Sequence, residues 1–244
     1  MFRFIIAIAT IIIFLILTLP ILLAEWIIGL VNPKLKAKSS LALIAWGFGI
    51  LIRIAGVDVT VIGEENVPKD KAVLYVANHR SVFDIILTYV RVPGPTGFIA
   101  KKEMLKYPLF RDWMKNLYCS FLDRKDLKQG MALIKQNIEY LKQGISVFVF
   151  PEGTRNKTEE PLLPFHDGSL KMAEKSGAPI LPITLCNTEQ IFEAHFPKLK
   201  KTKVIIEYGK PISMEGLSRE EKKAVSGQVQ EILKTTYKKN MELL

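Results

Sequence analysis

Cysteine and histidine are scarce in this 244-residue chain, two of the first and three of the second. Cys119 and Cys186 sit far apart in apolar segments, and neither a Cys-X2-Cys pair nor a His-Glu-X2-His helix occurs. Without such spacings a metal site has no ligand set, so no metal and no cofactor are expected, and both cysteines read as core residues. Internal repeats and low-complexity tracts are also missing, which leaves a single α/β core as the simplest organisation.

Acidic residues fall short of basic ones, 24 against 34, for a net charge of +10. Such an excess serves either nucleic acid or an anionic membrane face. The N-terminus decides for the membrane and against nucleic acid. From Phe4 to Leu23 only Thr10, Thr18 and Pro20 interrupt a run of apolar residues, which continues from Trp26 to Val31. A run of this kind matches the ~20 residues that cross a hydrocarbon core. A basic connector (Asn32, Pro33, Lys34, Lys36, Lys38) then leads to a second apolar stretch, Leu41 to Ile54. A signal peptide would instead give way to a hydrophilic mature chain. The expectation is a two-helix membrane-binding motif over residues 1–56, dipped into one leaflet because the second stretch is too short to span. One true span plus an interfacial helix is the alternative. Further lysines cluster at Lys198, Lys200, Lys201 and Lys203.

Past Gly56 the pattern changes to short β-branched runs alternating with amphipathic segments, and residues 57–244 read as one α/β domain. Strands are expected at Val57–Ile62, Ala72–Ala77, Gly97–Ala100, Leu117–Leu122, Ile145–Phe150, Ile180–Leu185 and Val204–Tyr208. The clearest helices are Ser81–Val90, Lys128–Lys142, Gly168–Ser176 and Ser218–Tyr237, with Gly144 and Gly177 as stops. Several strands are apolar throughout, which points to a central mixed, mostly parallel sheet flanked by helices, with ligands beyond the carboxyl ends of its strands.

Two segments carry chemistry. In Val76-Ala77-Asn78-His79-Arg80-Ser81-Val82-Phe83-Asp84 a strand ends and a helix begins. With Ser81 as N-cap, Asp84 is the third helical residue and its carboxylate leans back toward His79, within reach of the imidazole. That pairing would fix the tautomer and let the other ring nitrogen act as a general base. Ser81-X-X-Asp84 is also an ordinary capping box, and Ser81 lacks the Gly-X-Ser-X-Gly elbow of a covalent serine mechanism. In Phe148-Val149-Phe150-Pro151-Glu152-Gly153-Thr154-Arg155 a strand releases a glycine turn bearing an arginine, a fork of donors suited to phosphate oxygens. His166 and His195 have no carboxylate at comparable spacing and read as non-catalytic.

Together, Asn-His-X4-Asp and Phe-Pro-Glu-Gly-Thr-Arg resemble the glycerolipid acyltransferase family, specifically its 1-acylglycerol-3-phosphate acyltransferases. The resemblance covers nearly the whole chain after Gly56, and the apolar N-terminal helices resemble those of bacterial members. Gly97-Phe98-Ile99-Ala100-Lys101-Lys102-Glu103 and Phe121-Leu122-Asp123-Arg124 are similar to the family's second block, which implies that Lys101 and Arg124 help bind the acceptor. Ile180-Leu181-Pro182-Ile183-Thr184 is similar to its fourth block. His166, in Leu163-Pro164-Phe165-His166-Asp167-Gly168, departs from the lysine usual in relatives.

The resemblance implies acyl transfer from acyl carrier protein or coenzyme A thioester to lysophosphatidic acid, at the cytoplasmic face of a bacterial-type inner membrane. His79 and Asp84 would be catalytic, Arg155 and Lys101 would hold the phosphate, and Glu152 and Gly153 would shape the acceptor loop. Backbone amides around Ser81 would stabilise the oxyanion. Glycerol 3-phosphate or another lysophospholipid as acceptor, a lipid-ester hydrolase, and a non-enzymatic basic membrane-binding module are the competing readings.

Overall fold

The computed structural model describes residues 1–166 and 168–244; Asp167, in the stretch around His166, lies outside the described residues. Three apolar helices open the chain: α1 (Phe2–Leu17), α2 (Leu19–Val31) and α3 (Pro33–Ala55). The expectation of two helices is corrected at two points. The first apolar run breaks at Thr18, where Pro20 in the first turn of α2 has no N–H to continue the ladder, and α1 and α2 bend by 49°. The basic stretch is not a connector either. Asn32 Oδ1 accepts the Leu35 amide at 3.0 Å and Pro33 takes the first helical position, so Lys34, Lys36 and Lys38 lie in the opening turns of α3. At 23 residues, α3 is about 34 Å long at 1.5 Å per residue, enough to cross a bilayer, which the shorter expected stretch was not. It ends at Gly56, whose φ of 72° is the left-handed C-cap conformation.

The remaining elements are β1 (Val57–Ile62), β2 (Leu74–Ala77), α4 (Phe83–Tyr89), β3 (Thr96–Lys101), α5 (Phe110–Asn116), β4 (Ser120–Leu122), α6 (Leu127–Lys142), β5 (Ser146–Val149), α7 (Lys171–Ser176), β6 (Ile180–Cys186), β7 (Thr202–Tyr208) and α8 (Arg219–Met241). Every expected strand forms, β1 with the expected ends and the other six with shifted ones. The short α5 was not expected, since seven residues carry too little periodicity to declare a helix. The strands make one seven-stranded sheet in the order β1-β7-β6-β2-β5-β3-β4. β6, β2, β5, β3 and β4 run parallel, while β7 is antiparallel to β6 and carries β1 parallel to itself. The carboxyl ends of β2, β5, β3 and β4 therefore share one edge. Chain order reverses across β2, the switch point where a doubly covered sheet leaves a crevice.

Alternation along the strands builds two apolar layers. On one face Tyr75, Ala77, Phe148, Leu181 and Leu185 pack with Phe83 and Leu87 of α4 and with Ala7, Leu41, Ile44, Leu51 and Ala55 of α1 and α3. On the other, Leu74, Val76, Val147 and Ile180 meet Leu141, Met172, Val229 and Leu233. The N-terminal helices thus contribute to the cover of one sheet face. Trp113 of α5 fastens the bend by donating its indole N–H to Thr18 Oγ1 at 3.2 Å. Outward, α1 leaves Ile5, Ile8, Ile12 and Ile16 exposed at helical spacing, alongside Trp26, Leu30 and Trp46. Cys119 and Cys186 lie in the core.

Candidate active site

The site begins where β2 ends. Asn78, fully buried, spans to β6 with both ends of its amide: Nδ2 donates to the Leu185 carbonyl and Oδ1 accepts the Leu185 amide, each at 2.8 Å. This clamp fixes the exit of the chain from the sheet. His79 follows, its amide donating to Glu152 Oε1 and its carbonyl accepting the Asn156 amide, both at 2.7 Å. Its ring lies on Phe150, with centroids 4.1 Å apart and planes 18° from parallel.

His79 Nδ1 is 2.8 Å from Asp84 Oδ2, as the spacing suggested. The same oxygen accepts the amides of Arg80 and Ser81 at 2.7 Å. Backbone amides can only donate, so Oδ2 is an acceptor and Nδ1 carries the hydrogen; of the two neutral tautomers this contact selects the one with its lone pair on Nε2. The His79 side chain keeps 15% of its surface exposed while Asp84 has none. Asp84 Oδ1 has no hydrogen-bond partner among the described residues.

Two expectations about the turn are corrected. Ser81 is not the full N-cap: α4 begins at Phe83, and Ser81 Oγ accepts the Phe83 amide at 3.0 Å while donating to Glu193 Oε2 at 2.6 Å. Only the Asp84-to-Ser81 half of the capping box forms, since Ser81 Oγ takes the Phe83 amide and the Asp84 amide goes to the Ser81 carbonyl. Nor are the amides around Ser81 open to an oxyanion: those of Arg80 and Ser81 serve Asp84, and that of Val82 donates to Glu193 Oε1 at 2.8 Å.

The second motif stands beside the first because β5 pairs with β2. Glu152 is buried, and its two oxygens accept the amides of His79 and Leu163, each at 2.7 Å. Burial pushes its carboxyl above the ordinary glutamate value, and the bonds from the two amides pull the other way. Its contribution is to join the two turns. Gly153 has φ 68°, and a methyl group on it would lie 2.7 Å from His166 Cδ2 and 3.7 Å from Arg124 Cζ. Arg124, just past β4, is thereby brought over the glycine turn. Arg155 Nη1 donates to Glu193 Oε1 at 2.7 Å, with 43% of its side chain exposed. Lys101 is exposed at the end of β3, on the same sheet edge; no hydrogen bond joins it to this network among the described residues.

Sequence reasoning missed Glu193, Asn156, Phe150 and the clamp made by Asn78. Asn78 and Phe150 were inside the quoted motifs, where an apolar strand end gave a signal. Glu193 lies in an unmotifed stretch and becomes visible only through the fold.

An imidazole oriented by a carboxylate, an arginine on a glycine turn and apolar helices covering the adjoining sheet face meet at the edge of an α/β sheet, an arrangement able to support proton transfer beside an anion. Comparison with known proteins places it more closely. The family model named Acyltransferase matches residues 58–186, and the chain belongs to that family. It is 37% identical over 177 residues to a probable 1-acyl-sn-glycerol-3-phosphate acyltransferase of Mycoplasma pneumoniae, covering 70% of this chain and 64% of that one. It is 33% identical over 177 residues to the 1-acyl-sn-glycerol-3-phosphate acyltransferase of Saccharomyces cerevisiae, covering 71% and 57%. The chain thus spans less than two thirds of the length of these curated relatives. Among solved structures it is similar to the 1-acyl-sn-glycerophosphate (LPA) acyltransferase PlsC of Thermotoga maritima, with a TM-score of 0.71, 27% identity, and coverage of 92% of this chain and 97% of that one.

Proposed function

We propose that this protein transfers a fatty acyl group from a thioester, on acyl carrier protein or coenzyme A, to the sn-2 hydroxyl of 1-acylglycerol 3-phosphate, giving phosphatidic acid. The observation that carries the reading is the His79–Asp84 pair, which engages Nδ1 and leaves Nε2 free of it, on a turn that Glu152 joins to the loop bearing Arg155. The similarity to 1-acyl-sn-glycerol-3-phosphate acyltransferases supports the acceptor.

In this reading Nε2 takes the hydroxyl proton as the oxygen attacks the thioester carbonyl. The tetrahedral adduct then collapses, the carbon–sulfur bond breaks, and the imidazolium returns the proton to the departing thiolate. Asp84 stabilises the imidazolium without exchanging a proton. Arg155 binds the phosphate, aided by Arg124 and Lys101 from the neighbouring strand ends. Glu152 and Gly153 shape the acceptor loop, Glu152 through the two backbone amides it holds and Gly153 by leaving room for His166.

The apolar outer stripe of α1, with Trp26 and Trp46, lies in the cytoplasmic leaflet of the cell membrane, and residues 1–56 are the anchoring part. A long-chain lysolipid loses about 0.8 kcal/mol per methylene on leaving a bilayer, so a site held at the interface avoids a large extraction cost.

The test is acyl transfer by the purified full-length protein with a panel of acceptors and both thioesters. Lysophosphatidic acid should be preferred over glycerol 3-phosphate and over lysophospholipids with a capped phosphate, and Arg155→Ala should raise the KM for lysophosphatidic acid. Equal use of capped acceptors, or discharge of the thioester to water alone, would contradict it.

A further inference from the structure

Glu193 belongs to neither motif, yet its carboxylate bonds to both. Oε1 accepts from Arg155 Nη1 at 2.7 Å and from the Val82 amide at 2.8 Å, and Oε2 accepts from Ser81 Oγ at 2.6 Å. Ser81 and Val82 lie in the turn between His79 and Asp84, so one carboxylate links the turn that holds the base to the arginine on the opposite loop. Hydrogen bonds to a charged acceptor are the strong kind, and with 21% of its side chain exposed Glu193 is only partly screened by water.

The segment that carries Glu193 is itself seated. Ile191 is fully buried, Phe192 stacks on Phe4 of α1 with centroids 5.5 Å apart, and Phe196 packs edge-on against Phe192 at 5.4 Å. Glu193 is therefore held from below as well as from its ligands. An exposed arginine on its own keeps its rotamer freedom and samples many positions. Here one nitrogen of the fork is fixed, while the guanidinium has five N–H donors to offer.

We propose that Glu193 is a positioning residue that sets the separation between the His79 imidazole and the Arg155 guanidinium, and so selects acceptors whose hydroxyl is on the carbon next to the phosphate-bearing one. The proposal rests on the reading of Arg155 as the phosphate holder. In 1-acylglycerol 3-phosphate the free hydroxyl and the phosphate occupy adjacent carbons, a short and nearly fixed spacing. A fixed base-to-arginine separation suits an acceptor whose two groups are themselves held at one spacing, and disfavours acceptors in which they lie further apart.

The experiment is steady-state kinetics of the full-length protein and its Glu193→Ala, Glu193→Gln, Arg155→Ala and Arg155→Ala/Glu193→Ala variants, with acceptor and thioester varied separately. Glu193→Ala should raise the KM for lysophosphatidic acid about tenfold, lower kcat by less, and leave the thioester KM unchanged. Glu193→Gln, whose carbonyl oxygen can still accept from Arg155 and Val82, should fall between wild type and alanine and serves if the alanine variant does not fold. The double variant should have the acceptor KM of Arg155→Ala alone, because Glu193 acts through that residue.

A lower acceptor KM in Glu193→Ala would overturn the proposal by making the carboxylate a competitor of the phosphate. Additive effects in the double variant, or acceptor and thioester KM rising together, would overturn it in favour of a merely structural role. If Arg155→Ala leaves the acceptor KM unchanged, the phosphate assignment falls first and the positioning role with it. A rise in Arg155→Ala with none in either Glu193 variant sinks the positioning role only.

Discussion

Replacing Asp84 with asparagine isolates the charge that the account asks of this residue. The amide oxygen can take the place of Oδ2 and keep the Arg80 and Ser81 amides, both at 2.7 Å, together with the His79 Nδ1–H at 2.8 Å. Its nitrogen then occupies the position of Oδ1, buried and without a partner, a cost of about 1–3 kcal/mol in stability. The fold should survive with a lowered Tm. The rate should not. An imidazolium and a carboxylate about 4 Å apart attract by about 4 kcal/mol at an effective dielectric of 20, and that stabilisation vanishes from the transition state with the charge. At 1.36 kcal/mol per decade this is about a thousandfold in kcat. The Asp84 side chain has no exposed surface to offer an acceptor, so acceptor KM should stay near wild type. The assay is transfer from a radiolabelled thioester to lysophosphatidic acid at saturating substrates, with a thermal melt as control. A folded Asp84→Asn protein within tenfold of wild-type kcat would refute the assignment of the pair as base and orienter.

Three other outcomes follow from the same geometry. Asn78→Ala strands the buried amide and carbonyl of Leu185, and at about 1–3 kcal/mol each should lower unfolding free energy by about 2–6 kcal/mol in a denaturant titration. Gly153→Ala places a methyl group 2.7 Å from the His166 ring at φ 68°, and should cost about 1–2 kcal/mol from the backbone alone while impairing turnover by displacing the Arg155 loop. Burial raises the Cys119 thiol and pushes Cys186 up to about 12, so thiolate is scarce at neutral pH; a water-soluble thiol reagent should label neither until the protein is unfolded, and then both.

The sheet and the His79–Asp84 contact were legible in the sequence because both depend on local regularities. Apolar β-branched runs announced all the strands, and the five-residue spacing at a strand-to-helix turn was enough to place a carboxylate beside a ring. The helical N-terminus is less legible: Asn32 and Pro33 start a helix, but among so many apolar residues their capping signal and the lysines that follow look like a linker. The oxyanion expectation failed because which acceptor takes the Arg80, Ser81 and Val82 amides depends on a turn geometry and on a distant glutamate. Glu193 was invisible for the same reason. Its partners lie 38 and 112 residues away, and nothing in the segment around it signals chemistry until the chain is folded.

The account depends most on the Nε2 lone pair of His79 as the base. The most direct test is single-turnover acyl transfer by purified, membrane-bound His79→Ala with lysophosphatidic acid and a thioester, its fold checked by thermal melt against wild type. The account predicts a folded protein whose transfer rate is lower by several orders of magnitude; transfer within about tenfold of wild type would contradict it.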